Sequence, residues 1–268
     1  MKVKHSDPET FMKVIITGAT GTAGAEALRQ AVLHPLIEKV TILTRRPLPG
    51  YLTTALPPPN PNPKLKVVIH KDYLSYPSDL LSGALRDHDA VLWDLGESSI
   101  GMSESDYTII THDYAIAAAK AFSRIPRTSS NPFRFCFLSG QGSDQNEKSF
   151  RMYVRIKGRT EKDLALLADE TPELTVFNFR PAAINPTLRD PHAGGFKEGV
   201  RNVLMNVLKP VGMVIDSSDL AKGMVIVAVE AKTGKLAGWD GKGESKSGDK
   251  GSFDNAEIKH LAKLYPTA

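Results

Sequence analysis

Short runs of apolar and β-branched residues recur along the chain at 14–17, 40–44, 65–70, 90–95, 133–139 and 174–179. Most are apolar at consecutive positions rather than at alternate ones, which marks strands covered on both faces. Between them apolar residues return at helical spacing, over 22–33, 77–86, 107–123 and 151–168. Strand and helix in alternation predict an α/β fold, a doubly wound parallel sheet of the Rossmann type with right-handed crossovers. The ligand of such a sheet lies beyond the carboxyl ends of the strands, where the winding reverses.

Three segments interrupt the pattern. Residues 47–64 carry the run Pro57-Pro58-Pro59-Asn60-Pro61 and read as a loop, since proline removes a ladder donor and fixes φ. Residues 184–212 contain Val200, Val203, Leu204, Val207 and Leu208 at helical spacing, readable as a lid over an apolar pocket, as core packing or as a subunit contact. Residues 239–252 are rich in Gly, Lys, Ser and Asp and read as a mobile loop, followed by a closing helix at 255–264. The expected organisation is one nucleotide-binding domain over 12–268 with an N-terminal extension at 1–11. Within it, 184–212 and 239–268 contribute a small C-terminal substrate-binding or lid region.

Composition narrows the class. With 268 residues, 41% of them hydrophobic, the chain has enough apolar surface for a packed core. The net charge of +4 is spread out, with no basic stripe and interleaved aromatics of the kind that grips nucleic acid. The seven histidines show no metal-ligand spacing, so no metal is expected. The single cysteine, Cys136, lies in an apolar run; it reads as core, and a lone thiol fits a reducing compartment. The N-terminal stretch is polar, and no run reaches membrane-spanning length. The expectation is a cytoplasmic protein with a small-molecule substrate and no nucleic-acid or membrane partner, with monomer and homodimer both open.

The first apolar run leads directly into Gly18-Ala19-Thr20-Gly21-Thr22-Ala23-Gly24. This is a strand turning sharply into a helix whose free N–H groups and positive dipole end face an anion. Gly18 permits the turn, Gly21 lets backbone approach phosphate, and Gly24 lets the helix pack on the strand. Thr20, Thr22 and Ala23 complete the cradle of a dinucleotide pyrophosphate. The second strand ends in Thr44-Arg45-Arg46, with no acid to take the ribose hydroxyls of NAD. Two guanidiniums suit the extra phosphate of NADP, so NADP is the expected cofactor; two solvated arginines are the alternative. Asp72, with Tyr73 beside it, ends the third strand. It reads either as an acceptor for the adenine amino group or as a turn cap.

Tyr153 and Lys157 stand four apart on a predicted helix and therefore face the same way. A neighbouring ammonium favours the phenolate and draws a tyrosine toward useful acidity. Ser139, ending the fifth strand, carries a hydroxyl able to polarise a carbonyl oxygen. The order of glycine turn, basic second strand, strand-end serine and Tyr/Lys helix resembles the plan of the short-chain dehydrogenase/reductase superfamily. In particular it resembles the atypical Tat-interacting oxidoreductase-like proteins. The matching stretches are Val40–Arg46, Leu95-Gly96, His112-Asp113-Tyr114, Leu138–Asp144, Tyr153–Glu161 and Phe179-Arg180-Pro181.

The resemblance implies that Leu95 and Gly96 line the cofactor through backbone atoms. It also implies that the segment from Arg180 through Pro181 to Ile184 lies by the nicotinamide. It makes Ser139, Tyr153 and Lys157 the catalytic set, with Lys157 also holding the cofactor ribose. The chain departs from the family pattern at Gly140, where a second serine is usual, so the hydroxyl role falls on Ser139 alone. The loop over 140–152 is also longer than the family's. The resulting expectation is an NADP(H)-dependent oxidoreductase that reduces a carbonyl or oxidises an alcohol of a small, largely apolar molecule. The alternatives are a non-catalytic NADPH-binding regulator, and an isomerase or epimerase that uses bound cofactor without net redox.

Overall fold

In the computed structural model, which describes residues 11–59, 61–188, 212–233 and 251–266, the predicted strands are laid side by side. They are β1 (Met12–Thr17), β2 (Ile37–Thr44), β3 (Leu65–Ile69), β4 (Ala90–Trp93), β5 (Phe133–Leu138) and β6 (Leu174–Arg180). A further short strand, β9 (Ser252–Asp254), closes the edge. Among the described residues these seven form one sheet in the order β3-β2-β1-β4-β5-β6-β9, and every neighbouring pair is parallel. The winding reverses between β1 and β4, so the carboxyl ends of those two strands form the crevice where an α/β sheet holds its ligand. A small second sheet pairs β7 (Ala183–Asn185) with β8 (Val214–Asp216).

Apart from the edge strand β3, where Val67 and Ile69 are exposed against the expectation for the 65–70 run, the sheet is buried on both faces because consecutive strand residues feed opposite cores. Val14 and Ile16 of β1, Leu92 of β4 and Cys136 of β5 point to one side. Ile15, Val91, Trp93, Phe135 and Phe137 point to the other. The first side is covered by α1 (Thr22–Leu33) and by a helix, α6 (Ser217–Thr233), packed beside it. The second is covered by α4 (Tyr114–Phe122) and α5 (Met152–Glu170). The closing helix α7 (Asn255–Ala262) packs on α6 and begins with a capping box between Asp254 and Glu257.

Several elements differ from expectation. The proline-rich loop holds a short helix, α2 (Gly50–Thr54), which starts just after Pro49. The helix expected over 77–86 reduces to a π-helical turn at Leu80–Ala84 with no fully buried side chain. The helix expected over 107–123 is three pieces: α3 (Glu104–Thr108), a π-helical turn at Ile109–Asp113, and α4. The strands expected to reach 95 and 139 stop at Trp93 and Leu138, freeing the next residues for the crevice. The amphipathic stretch at 200–208 and the Gly/Lys/Ser/Asp-rich segment up to 250 lie outside the described residues.

Helix α6 has no counterpart in the periodicity analysis. Leu220, Ala221, Met224, Val225, Ile226, Val227, Ala228 and Val229 are all buried, so between the partly exposed Lys222 and Glu230 it is apolar around its whole circumference. A helix covered on every side loses the polar stripe that marks helical periodicity. Met224 has no solvent exposure, so replacing it with alanine leaves a cavity in the core that α6 shares with α1 and the sheet. We expect Met224→Ala to lower unfolding free energy by about 2–4 kcal/mol in urea denaturation. Leu166→Ala, at a position 51% exposed on α5, should stay within about 0.5 kcal/mol of the parent. Equal effects of the two substitutions would contradict a core position for α6.

Candidate functional site

At the switch point, β1 leaves the sheet at Thr17 and the chain turns through Gly18 at φ +65°, a conformation L side chains rarely adopt. A Cβ on Gly18 would fall 2.3 Å from the carbonyl oxygen of Asp94, and one on Gly24 would fall 2.2 Å from the carbonyl oxygen of Gly18. The turn thus lies backbone against backbone between the end of β4 and the first turn of α1. The Gly21 amide closes it by donating to the Gly18 carbonyl at 2.8 Å.

This turn floors a cavity of about 510 Å³. Gly18, Thr20 and Gly21 line it from the turn, Arg45 and Arg46 from the end of β2, Tyr73 from beyond β3, and Leu95 and Gly96 from the end of β4. Eight of the residues named from the sequence therefore meet around one cleft. Thr22 is exposed, Ala23 is core, and Gly24 acts through packing; none of the three lines the cleft. Tyr73 is 1% exposed, and its hydroxyl donates to the Leu43 carbonyl at 2.8 Å, so it holds the wall of the cleft. Asp72 lies outside. Its side chain is exposed and caps its own turn, accepting from the Leu74 amide at 3.0 Å, which is the turn-cap alternative.

Two acidic residues of the cleft were not read from the sequence. Glu97, just beyond Gly96, has a carboxylate oxygen 3.8 Å from the Arg45 guanidinium. Asp94, at the end of β4, has both carboxylate oxygens buried with no hydrogen-bond partner. Burial pushes its carboxyl up to about 7. Cys136, next to it on β5, has its thiol pushed up by burial and is an inert core residue.

Ser139, Tyr153 and Lys157, expected from the sequence to be the catalytic set, stand apart from this cleft, on α5 and the loop before it. Ser139 is 2% exposed. Lys157 donates to the Ser139 carbonyl at 2.7 Å, and Tyr153, one turn earlier on α5, is half-buried. Burial pushes the Lys157 ammonium down to about 8, with Glu161 one turn on acting in the opposite direction. Burial, with Tyr153 nearby, pushes the Tyr107 phenol up. Pro181 receives the Gln141 amide on its carbonyl at 2.9 Å, which ties the loop to the end of β6. Ile184, in β7, packs against the core of the α1/α6 face. Neither of these two lines the 510 Å³ cleft.

A second serine stands beside Ser139, supplied by the loop and not by position 140. The Ser143 hydroxyl lies 2.8 Å from that of Ser139 and donates to the Gly140 carbonyl at 2.8 Å. Since each hydroxyl has one hydrogen, the hydrogen shared between the two serines is that of Ser139. The loop then runs over α5 at Gly158, where a Cβ would fall 2.1 Å from the Asp144 backbone. Asp144 holds the loop by accepting from the amides of Asn146, Lys148 and Ser149. Beneath it the buried Glu161 pairs with Arg180 and accepts from Gln145 at 3.2 Å, joining α5, β6 and the loop. A larger groove of about 850 Å³ lies at the far end of α1, by Arg29, Lys222 and Tyr265; none of the residues above lines it.

No family model matches the chain. It is 28% identical over 240 residues to the protein named FMP52, mitochondrial, of Candida albicans, covering 84% of this chain and 91% of that one. It is 27% identical over 153 residues to leucinostatins biosynthesis cluster protein T of Purpureocillium lilacinum, a match over 57% of this chain and 51% of that protein. The chain thus spans about half the length of this second relative. Among solved structures, a UDP-N-acetylglucosamine 4-epimerase from Methanobrevibacter ruminantium superposes with a TM-score of 0.60 at 17% identity, over 95% of this chain and 81% of the other. A short-chain dehydrogenase/reductase from Saccharomyces cerevisiae gives 0.60 at 13% identity, over 95% and 100%. At such identities the likeness establishes the Rossmann fold common to these oxidoreductases and epimerases. Among the described residues no helix is long and apolar enough to cross a membrane, and no group of His, Cys, Asp and Glu is placed to hold a metal.

The buried Asp94 carboxyl ties stability to pH. Its folded-state value, raised from 3.8 to about 7, favours the folded chain while the group is protonated. That contribution is complete below the unfolded value and is lost as pH rises through about 7. Between about pH 5 and pH 8 the parent's melting temperature should fall by several degrees more than that of Asp94→Asn. Parallel curves for the two proteins would remove Asp94 as the source.

Proposed function

We propose that the chain is an NADP(H)-dependent oxidoreductase of the short-chain dehydrogenase/reductase type, acting on the carbonyl or alcohol of a small, largely apolar molecule. The observation that carries this reading is the cleft itself. A side-chain-free glycine turn and two arginines, Arg45 and Arg46, converge on one cavity at the switch point. That donor set suits a phosphorylated dinucleotide, since the turn offers backbone to a pyrophosphate and the guanidiniums offer charge to a further phosphate. The residues that would hold it are Gly18, Thr20, Gly21, Arg45, Arg46, Leu95 and Gly96, with Thr22, Ala23 and Gly24 shaping the helix start. A bound nicotinamide supplies or accepts the hydride.

The chain's own residues manage the proton. Tyr153 would give its phenolic proton to the oxygen of the reduced substrate, or take one from the alcohol in the reverse direction. Lys157, one turn away, stays within reach of that phenol because its ammonium is anchored on the Ser139 carbonyl. As a cation it would offset the negative charge left on the oxygen when the proton is given up. Ser139 would turn its hydrogen from Ser143 toward the substrate oxygen; Ser143 holds that hydroxyl in position until then. Pro181 and Ile184 would border the nicotinamide end, and 184–212 with 239–268 would contribute the substrate side.

A related reading, an epimerase that uses bound cofactor without net redox, draws on the epimerase among the structural neighbours. It differs in leaving the reduced cofactor unconsumed. A cytoplasmic location stays part of this reading, and the mitochondrial name of the Candida albicans relative makes cell fractionation its test.

Two measurements test the proposal. Titration with NADPH, followed by nicotinamide fluorescence, should show saturable binding that falls at least about tenfold in the double variant Arg45→Ala/Arg46→Ala. Across a panel of aldehydes and ketones, Tyr153→Phe should lower NADPH oxidation by about 10²-fold or more while its NADPH affinity stays within about twofold. Turnover of the parent should also depend on an ionisation near 8, that of Lys157. Absence of nucleotide binding, or full activity in Tyr153→Phe, would overturn the assignment.

A further inference from the structure

From the pairing of Arg45 with Glu97 we infer a two-position clamp that admits the adenosine ribose of either nicotinamide nucleotide, Arg45 serving the phosphorylated form and Glu97 serving the unphosphorylated form while opposing the phosphorylated one. The inference rests on the reading of the cleft as a nucleotide site and goes beyond its assignment to NADP alone. The sequence offers no acid at the end of β2, the usual partner of an unphosphorylated ribose. The fold supplies one from elsewhere. Glu97 follows the end of β4, and the switch-point geometry brings it to the same cavity as Arg45, with 3.8 Å between guanidinium nitrogen and carboxylate oxygen.

Both side chains are about half exposed, at 53% and 51%, and no other partner for either is seen among the described residues. An exposed pair at this separation is worth little and separates readily. A dianionic ribose phosphate draws Arg45 away through charge-assisted, two-pronged hydrogen bonds. Glu97 is then left beside a like charge and turns to solvent, a cost set against NADPH binding. An unphosphorylated ribose offers hydroxyl donors instead. Glu97 accepts from them while Arg45 keeps its carboxylate partner and finds no phosphate. Arg46, next along the chain, lines the same cavity and favours phosphate in either position of the clamp.

The test is a double dissociation in nucleotide affinity, read by fluorescence titration with NADPH and with NADH separately. Glu97→Gln should bind NADPH about three- to fivefold more tightly and NADH about three- to fivefold more weakly. Arg45→Ala should bind NADPH about tenfold more weakly and NADH within about twofold of the parent. Neither change removes a buried group, and circular dichroism of each variant verifies its fold. A shift of both nucleotides in the same direction in Glu97→Gln, or an unchanged NADPH/NADH ratio, overturns the clamp while leaving the nucleotide site intact. Binding of neither nucleotide by the parent overturns the site and the clamp together.

Discussion

The site depends first on a place with no side chains. Gly18 lies so close to the Asp94 carbonyl, and Gly24 so close to Gly18, that a single methyl group at either position would force the backbone apart. That contact sets the distance between β1, β4 and the start of α1, and so the depth of the crevice between them. The two rims inherit it. Arg45 and Arg46 come from the end of β2, on one side of β1, while Leu95, Gly96 and Glu97 come from the end of β4 on the other. Asp94 inherits it too, since the same close packing deprives its carboxylate of water.

A second backbone contact governs the half of the site built on α5. Asp144 rests on α5 at Gly158, one residue beyond Lys157, and the Lys157 ammonium reaches back to the Ser139 carbonyl. Loop and helix therefore hold each other in one register. The buried pair of Glu161 and Arg180 extends the tie to β6. Such a pair contributes little net stability, because desolvation offsets its attraction. Its effect is positional: removing Arg180 takes the counter-charge from the fully buried Glu161 carboxylate, so the pair keeps the three elements together.

Much of this was legible in the sequence, for an identifiable reason. Strands buried on both faces are apolar without interruption, so β1, β2, β4, β5 and β6 could be read within a few residues. The glycine turn is legible because a local conformation demands a particular residue. The same logic failed for α6, whose all-round burial erases the polar stripe that distinguishes a helix from a strand in Met224–Val229. It also failed where a contact joins distant segments. Glu97 reaches Arg45 through the sheet order alone, and nothing near either residue announces it. Ser143 lies only four positions from Ser139, yet the hydroxyl pair exists because the loop turns back at Gly140. Asp72 illustrates the opposite case: it reads as adenine acceptor or as turn cap, and its side chain accepts locally from the Leu74 amide.

The two halves of the site differ in how they handle charge, and the difference is chemical. The switch-point cleft keeps its guanidiniums near water, where pairing is weak and exchangeable and an anion can displace a carboxylate. The α5 half draws its ammonium out of water, which moves Lys157 down to about 8, the range the proposed proton transfer calls for. Binding an anion reversibly calls for cations that are cheap to redirect. Moving a proton calls for a cation whose position and ionisation are both constrained. Placing the first on loops at the strand ends and the second on a long helix locked by Gly158 meets both demands within one sheet.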